Sequence, residues 1–374
     1  MYYFVTLTDE CNLKCQYCHG KWLEDLDVEI EDHEIDYFVP THLSYDILTL
    51  KRFCERDLEP RLIFYGGEPT LCLEKIREIM DIVPAKEYII QTNGLLIDRL
   101  EPQYINRFST ILVSIDGSKD LNDRQRGRGT YAKIMENLKI LKKQGYKGEV
   151  IARMTVTQET DIEKEVKWLL FNKEWPFESI HWQLDALFWK NDFDPLRFKE
   201  WMDKSYNPGV RRLVEFWVDH MEQRHRVLRI YPLIGPTQSL LLKEKTKLRC
   251  GAGWISFNIQ TDKNITPCPV MVGMKDYYLG NIAETDPAQL KNSTHVSEPC
   301  TSCDVYTLCG GRCLYANATK LWGEEGFSLV CKTVRNLLDS LEAALPKIRE
   351  MIIGGHISEN DFKYPRYNSC EIIP

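Results

Sequence analysis

The sequence predicts an α/β fold: a partial (β/α)6 barrel followed by a smaller cysteine-rich domain. Three observations predict it. Residues 1–225 alternate short β-branched or aromatic runs with helical patterns, which favours a parallel sheet with helices outside it. There are six such runs and no dinucleotide-type glycine-rich loop, so a partial barrel fits better than a doubly wound sheet. Ten of the 13 cysteines fall in two stretches, Cys11–Cys18 and Cys250–Cys331. That spacing argues for metal in a reducing compartment and against a secreted disulfide scaffold.

Taken in order, the predicted strands are Tyr2–Leu7, Arg61–Tyr65, Glu87–Gln91, Thr110–Ile115, Glu149–Val156 and Ser179–Leu184. Helical patterns lie between them at Tyr45–Glu55, Leu73–Ile82, Tyr131–Gln144 and Ile162–Phe171. A further helical stretch, Leu196–Met221, closes the barrel unit, 1–225. A bridging region, 226–249, leads into the cysteine-rich domain, 250–332. Residues 333–374 read as a closing helix, Thr333–Ile353, and a packed tail whose Cys370 thiol is available to a metal site. Cys54 and Cys72 stand outside the clusters and read as buried thiols.

At 374 residues, 43% hydrophobic and 28% charged, the chain is long enough for a sizeable core and two domains. Its net charge of −7 excludes generic nucleic-acid binding through a basic surface. No signal peptide and no bilayer-length apolar run is present, which makes the cytoplasm the expected compartment and no membrane the expected partner. Eight of the thirteen residues from Glu24 to Asp36 are acidic. They read as a solvated insertion, with a docking surface for a basic peptide as the functional alternative.

The chemistry is expected where strands end. Cys11, Cys15 and Cys18 form a C-x3-C-x2-C loop after the first strand. Three closely spaced thiolates can hold three irons of a [4Fe-4S] cluster and leave the fourth open. Structural zinc, recruiting His19 as a fourth ligand, is the bland alternative. Gly66, Gly67, Glu68 and Pro69 end the second strand, where two glycines let backbone approach a ligand and Glu68 can accept from an ammonium. Asn93 and Ser114 end the third and fourth strands and would face the barrel centre. Arg153 lies inside an apolar strand and needs an anionic partner. In the sixth strand, alternation puts His181, Gln183 and Asp185 on one face. They are candidates for substrate contact or proton transfer, or a satisfied polar layer. The second system runs Cys250-x17-Cys268, then Cys300-x2-Cys303-x5-Cys309-x3-Cys313, then Cys331. Two four-ligand clusters need eight ligands, and these are seven.

These motifs resemble those of the radical S-adenosylmethionine (SAM) enzymes, and the resemblance covers most of the chain. The cysteine loop after the first strand of a TIM-like partial barrel, the aromatic Tyr17 before its third cysteine, and the G-G-E-P motif match that family. The resemblance implies a SAM-binding cluster on Cys11, Cys15 and Cys18, and SAM contacts from Tyr17, Gly66, Gly67, Glu68, Pro69, Asn93, Ser114 and Arg153. The carboxy-terminal cysteines resemble the SPASM domain, which holds two auxiliary clusters. By that likeness Cys300, Cys303, Cys309 and Cys331 hold the outer one, and Cys250, Cys268 and Cys313 the inner one. Some relatives place a fourth inner cysteine between Cys250 and Cys268. Here Ser256 is the nearby substitute and Cys370 the distant one. The family's glycine five residues before the second cysteine is Lys263, which predicts a differently shaped loop with its ligands intact.

The implied cofactors are three iron–sulfur clusters of the [4Fe-4S] type and SAM. The implied function is modification of a ribosomally made peptide or protein: hydrogen abstraction by a 5'-deoxyadenosyl radical, then oxidation or a thioether or carbon–carbon crosslink. Gln183 and Asp185 join the three loop cysteines as candidate catalytic residues. Expected partners are the peptide or protein substrate, an electron donor such as a ferredoxin or flavodoxin, and a separate peptide-recognition protein. Only ten residues precede Cys11, too few for a recognition domain, so leader recognition is expected to use that separate protein, the acidic insertion or the SPASM surface. Sulfatase-maturase-like protein oxidation is the runner-up. Those enzymes carry an aspartate base after a SPASM cysteine, whereas Pro269 follows Cys268 here. A non-catalytic iron–sulfur electron carrier is the alternative from another class.

Overall fold

The computed structural model describes residues 1–18, 33–185, 193–320, 322–370 and 373–374. Six parallel strands make the body of one sheet: β1 (Tyr2–Thr6), β2 (Arg61–Tyr65), β3 (Glu87–Thr92), β4 (Phe108–Ser114), β5 (Glu149–Val156) and β6 (Ser179–Leu184). β2, β5 and β6 have the expected bounds, and the others differ at their ends by one or two residues. Helices α1 (Ile47–Cys54), α2 (Leu73–Ile82), α3 (Lys119–Arg126), α4 (Thr130–Lys143) and α5 (Ile162–Leu170) lie in the connections. Asp46 starts α1 by accepting from the Leu48 amide at 2.9 Å, and Asp161 starts α5 by accepting from Lys164 at 3.1 Å. Both are N-caps that satisfy an otherwise orphaned donor.

Strand alternation divides the apolar residues between two cores. Leu62, Phe64, Ile90, Val113, Met154 and Trp182 face outward and join the large core. Ile63, Ile89, Leu112 and Ile151 face inward and form a small lumen core with Tyr2 and Phe4. The lumen is therefore apolar at its base and polar toward the carboxyl ends of the strands.

The carboxy-terminal half departs from expectation in three ways. The bridging region contains β7 (Arg229–Ile230), paired with β6, and the helix Tyr231–Leu242. The expected second domain shares the barrel's sheet. Its strand β8 (Ser256–Ile259) pairs with β1 in parallel, and β9 (Ile265–Thr266) follows antiparallel, giving the order β7-β6-β5-β4-β3-β2-β1-β8-β9. An open barrel leaves the β1 edge unpaired, and β8 covers it. Finally, the closing helix runs Gly323–Ile353, so it carries Cys331 and crosses the expected boundary at 332. It buries Leu337, Leu338 and Leu341 and packs on the helices Asn207–Arg224 and Tyr231–Leu242. Cys54 is buried as expected, but Cys72 is only half-buried. Among the described residues no helix is long and apolar enough to cross a membrane.

Most of the acidic stretch lies outside the described residues. Its last part, His33–Asp36, bridges to the segment after Cys268: Ile35 pairs with Met274, and Lys275 donates to the Glu34 carboxylate at 2.5 Å. Some of the acidic charge is thus neutralised by the cysteine-rich region itself.

Candidate active site at the barrel mouth

Cys11, Cys15 and Cys18 sit on one loop at the end of β1, near enough that each cysteine's charge acts on the next. Three anchors fix this loop. The Gln16 amide donates to the Gln125 carbonyl at 3.0 Å. The Tyr17 hydroxyl donates to Asp116 at 2.6 Å. The Asn93 side chain donates to Asn12 at 2.7 Å and lies 3.9 Å from the Cys11 sulfur. Asp116 is itself held by a bidentate Arg126, at 2.9 and 2.8 Å, and by the Thr155 amide at 3.0 Å. The Arg126 guanidinium also stacks over the Tyr17 ring, 5.3 Å from its centroid. Neither Asp116 nor Arg126 was singled out from the sequence. Asp116 lies in the loop after β4 and Arg126 ends a helix of mostly polar residues ten positions on, so no local pattern joins the two.

The glycine motif works differently from expectation. A Cβ on Gly66 would meet the Thr8 carbonyl oxygen at 2.1 Å, and one on Gly67 would meet that of Glu10 at 2.2 Å. The amides of Gly67 and Glu68 donate to those same two carbonyls, each at 2.8 Å. The close approach that demands glycine is thus by the cysteine loop. Glu68 is engaged: the hydroxyls and amides of Thr70, Thr92 and Asn93 supply four donors at 2.5–2.9 Å. It braces β2 against β3, with three of the donors on Oε1 and one, the Asn93 amide, on Oε2. Pro69 opens the short helical turn that Glu68 caps. Gly67→Ala is therefore expected to displace the loop and lose the iron it holds, about four atoms per chain. Iron analysis after anaerobic reconstitution checks this.

Across the lumen, Ser114, Arg153 and His181 are register partners on β4, β5 and β6. Arg153 donates to the Gln183 side chain at 2.9 Å, while its Nε has no partner. No carboxylate pairs with Arg153 among the described residues. Loss of hydration lowers its pKa from the ordinary arginine value, so an anion there gains a partner that little else competes for. Asp185 follows β6, its amide bonded to the Val156 carbonyl at 2.8 Å. Tyr65, which the sequence reading passed over, packs edge-on against Phe4 at 5.5 Å. Desolvation pushes its phenol up to about 12, with Arg153 opposing. The nearby thiols of Cys268 and Cys18 add to the rise.

The second system divides into two sets. Cys268 has Cys250 and Cys313 as its charged neighbours. Cys300 has Cys331, Cys309 and Cys303. Burial, then those neighbours, raises the Cys268 thiol well above its ordinary value and the Cys300 thiol to about 12. Grouped sulfurs that resist ionisation in this way call for a cationic centre. Among the described residues no three His, Cys, Asp or Glu side chains converge on a point one ion could share. A single zinc needs sulfurs roughly 3.8 Å apart. A four-iron cluster takes its thiolates at separate corners and does not need them to converge on one point.

Two expectations about this region change. Lys263 adopts a left-handed φ of 78°, so the position keeps a backbone conformation that glycine favours. Cys370 lies in the lumen core with Ile63, Ile89 and Leu112, apart from the core that holds Cys250, Cys268 and Cys313. Ser256 is buried beside Gly251, the residue after Cys250.

Residues 5–169 match the model of the Radical SAM superfamily. The chain carries a radical SAM domain. It is similar to the cysteine-type anaerobic sulfatase-maturating enzyme of Clostridium novyi, 27% identical over 82% of this chain and 85% of that protein. Among solved structures it is similar in fold to anSMEcpe with bound AdoMet and Cp18Cys peptide, with a TM-score of 0.68 and 19% identity over 94% of this chain and 99% of that one. It is also similar to Streptococcus suis SuiB bound to the precursor peptide SuiA, with a TM-score of 0.53 and 17% identity over 85% and 72%.

Proposed function

We propose that this chain uses SAM to oxidise a residue of a peptide or protein substrate, a reaction of the maturase type. The observation that carries this reading is the likeness to the sulfatase-maturating enzyme of Clostridium novyi over 82% of this chain and 85% of that protein, with a three-cysteine loop at the end of β1 beside Arg153, whose Nε is unpaired among the described residues. When bound, a cluster with an open iron together with SAM supplies one-electron reductive cleavage to methionine and a 5'-deoxyadenosyl radical.

The chain's own residues do the rest. Cys11, Cys15 and Cys18 hold the cluster, and the Tyr17–Asp116–Arg126 network keeps their loop at the barrel mouth. Backbone carbonyls of the Gly66–Gly67 turn receive the SAM ammonium, and Arg153 with Ser114 receives the carboxylate. Asn93 fixes the edge of the pocket beside Cys11, and the Tyr17 ring packs over it. Gln183 orients Arg153. His181 and Asp185, on the same face of β6, are the groups that hold or move a substrate proton, since Pro269 stands where maturases have aspartate. Cys250, Cys268 and Cys313 would hold an inner cluster, and Cys300, Cys303, Cys309 and Cys331 an outer one; such clusters would supply one-electron acceptors.

Crosslinking, placed first by the sequence, becomes the second reading. The sequence relatives are maturases over most of their length, and this outweighs the Pro269 departure. The inner set's three cysteines still favour crosslinking as a second reading, because an open iron can hold a substrate thiolate. Anaerobic incubation with SAM, dithionite and a cysteine-containing peptide tests both. Oxidation gives a peptide carbonyl that reacts with a hydrazide. A crosslink gives a loss of two hydrogens with no carbonyl. If no 5'-deoxyadenosine forms, the chain is an iron–sulfur carrier and both enzyme readings fall.

A further inference from the structure

The tail does more than cover a surface. Tyr364 meets Tyr231 edge-on at 5.6 Å, and Arg366 donates to Gln238 at 2.7 Å. Tyr367 packs edge-on against Tyr2 of β1 at 5.8 Å and against Trp254 of the cysteine-rich region at 5.2 Å. Ser369 donates its hydroxyl to Gln91 of β3 at 3.1 Å. Cys370 then joins Ile89, Leu112 and Ile151 in the lumen core. The tail thus fills the inside of a sheet that has no strands to close it.

Its depth follows from the register. Gln91 lies opposite Leu112, and Leu112 opposite Ile151. Two residues further along the same faces stand Asn93, Ser114 and Arg153. Ser369 and Cys370 therefore touch the layer directly beneath the residues assigned to SAM. The segment is also strained: Tyr367 and Ser369 take left-handed φ values of 65° and 74°. Between them Asn368 is 1% exposed, and neither atom of its amide has a partner among the described residues. Strain and an unsatisfied buried amide persist where the surrounding structure has a use for them.

We propose that Tyr367–Cys370 is the floor of the SAM pocket and that Ser369, through Gln91, is a positioning residue for SAM binding. This rests on the reading of the lumen as the SAM site. A filled floor keeps water from Arg153, so the guanidinium attracts a carboxylate more strongly than it would in water. The Ser369 bond fixes the Gln91 side chain, which shares its face with Asn93 and so with the edge of the Cys11 loop.

Ser369→Gly tests the idea cleanly, because glycine accepts φ 74° without strain and only the hydroxyl is lost. SAM binding to the iron-loaded chain is measured by equilibrium dialysis, together with the change SAM makes in the EPR signal of the reduced cluster. The expected result is a dissociation constant raised about three- to tenfold, the worth of one hydrogen bond, with an altered EPR change and an unaltered melting temperature. Gln91→Ala should weaken binding equally, and the double variant no further. Ser369→Asn, which tolerates the left-handed backbone and restores a donor, should recover binding. An unchanged dissociation constant in Ser369→Gly overturns the proposal, as does additive loss in the double variant. A wild-type chain that does not bind SAM overturns the SAM-site reading and this proposal together.

Discussion

Replacing Cys11, Cys15 and Cys18 together with alanine is expected to abolish SAM cleavage outright and to leave about eight of roughly twelve irons in place, at four per cluster. The independence of the cysteine sets is the reason. The charged neighbours of Cys268 and Cys300 lie within their own sets, and thiolate ligation is local. The loop cysteines are braced by Asn12, Asn93 and Tyr17, none of which contacts the second system directly. Iron content and 5'-deoxyadenosine yield, measured on the same preparation, check it. Turnover in the triple variant refutes the radical mechanism, and loss of all iron refutes the independence of the sets.

Asp116→Ala is expected to destabilise the fold by about 3–5 kcal/mol, the usual consequence of leaving one partner of a buried ion pair alone. Asp116 is fully buried and its Arg126 partner is 7% exposed. The same change removes the acceptor of the Tyr17 hydroxyl and of the Thr155 amide. The cysteine loop then loses its tether to β4 and β5. Denaturant unfolding reads the stability, and iron content reads the loop. A variant that keeps wild-type stability would show that Arg126 finds another partner. One that loses stability but keeps the loop iron would show that Gly66, Gly67, Asn93 and the Gln16–Gln125 bond hold the loop without the Tyr17 tether.

Much of this was legible in the sequence because ligands and strand ends carry local signals. Cysteine spacing marks a metal loop wherever it falls, and β-branched runs bounded by glycine mark buried parallel strands. The division of the second system into Cys250, Cys268, Cys313 and Cys300, Cys303, Cys309, Cys331 rests on family likeness. What was not legible depends on contacts between distant segments. Gly66 and Gly67 read as a cradle for a ligand, but the backbone they admit is that of Thr8–Glu10. Glu68 read as an acceptor for a ligand, and the donors it takes from Thr70, Thr92 and Asn93 within the protein could not be foreseen. Cys370 read as a spare ligand, since nothing in a tail's sequence tells which cavity it enters. β8 was missed because four residues carry too little periodicity to stand out.

The pairing of β1 with β8 also sets the order in which the molecule can assemble. Tyr2 lies beside Ser256, so β1 leaves the ribosome long before its second neighbour exists. Long-range pairing of this kind slows folding and leaves an open strand edge in the interval. Iron loading at Cys11, one loop beyond that edge, can therefore begin on a half-made sheet. A chaperone or cluster-delivery protein would meet β1 bare on one side, and the arrival of β8 would end that opportunity.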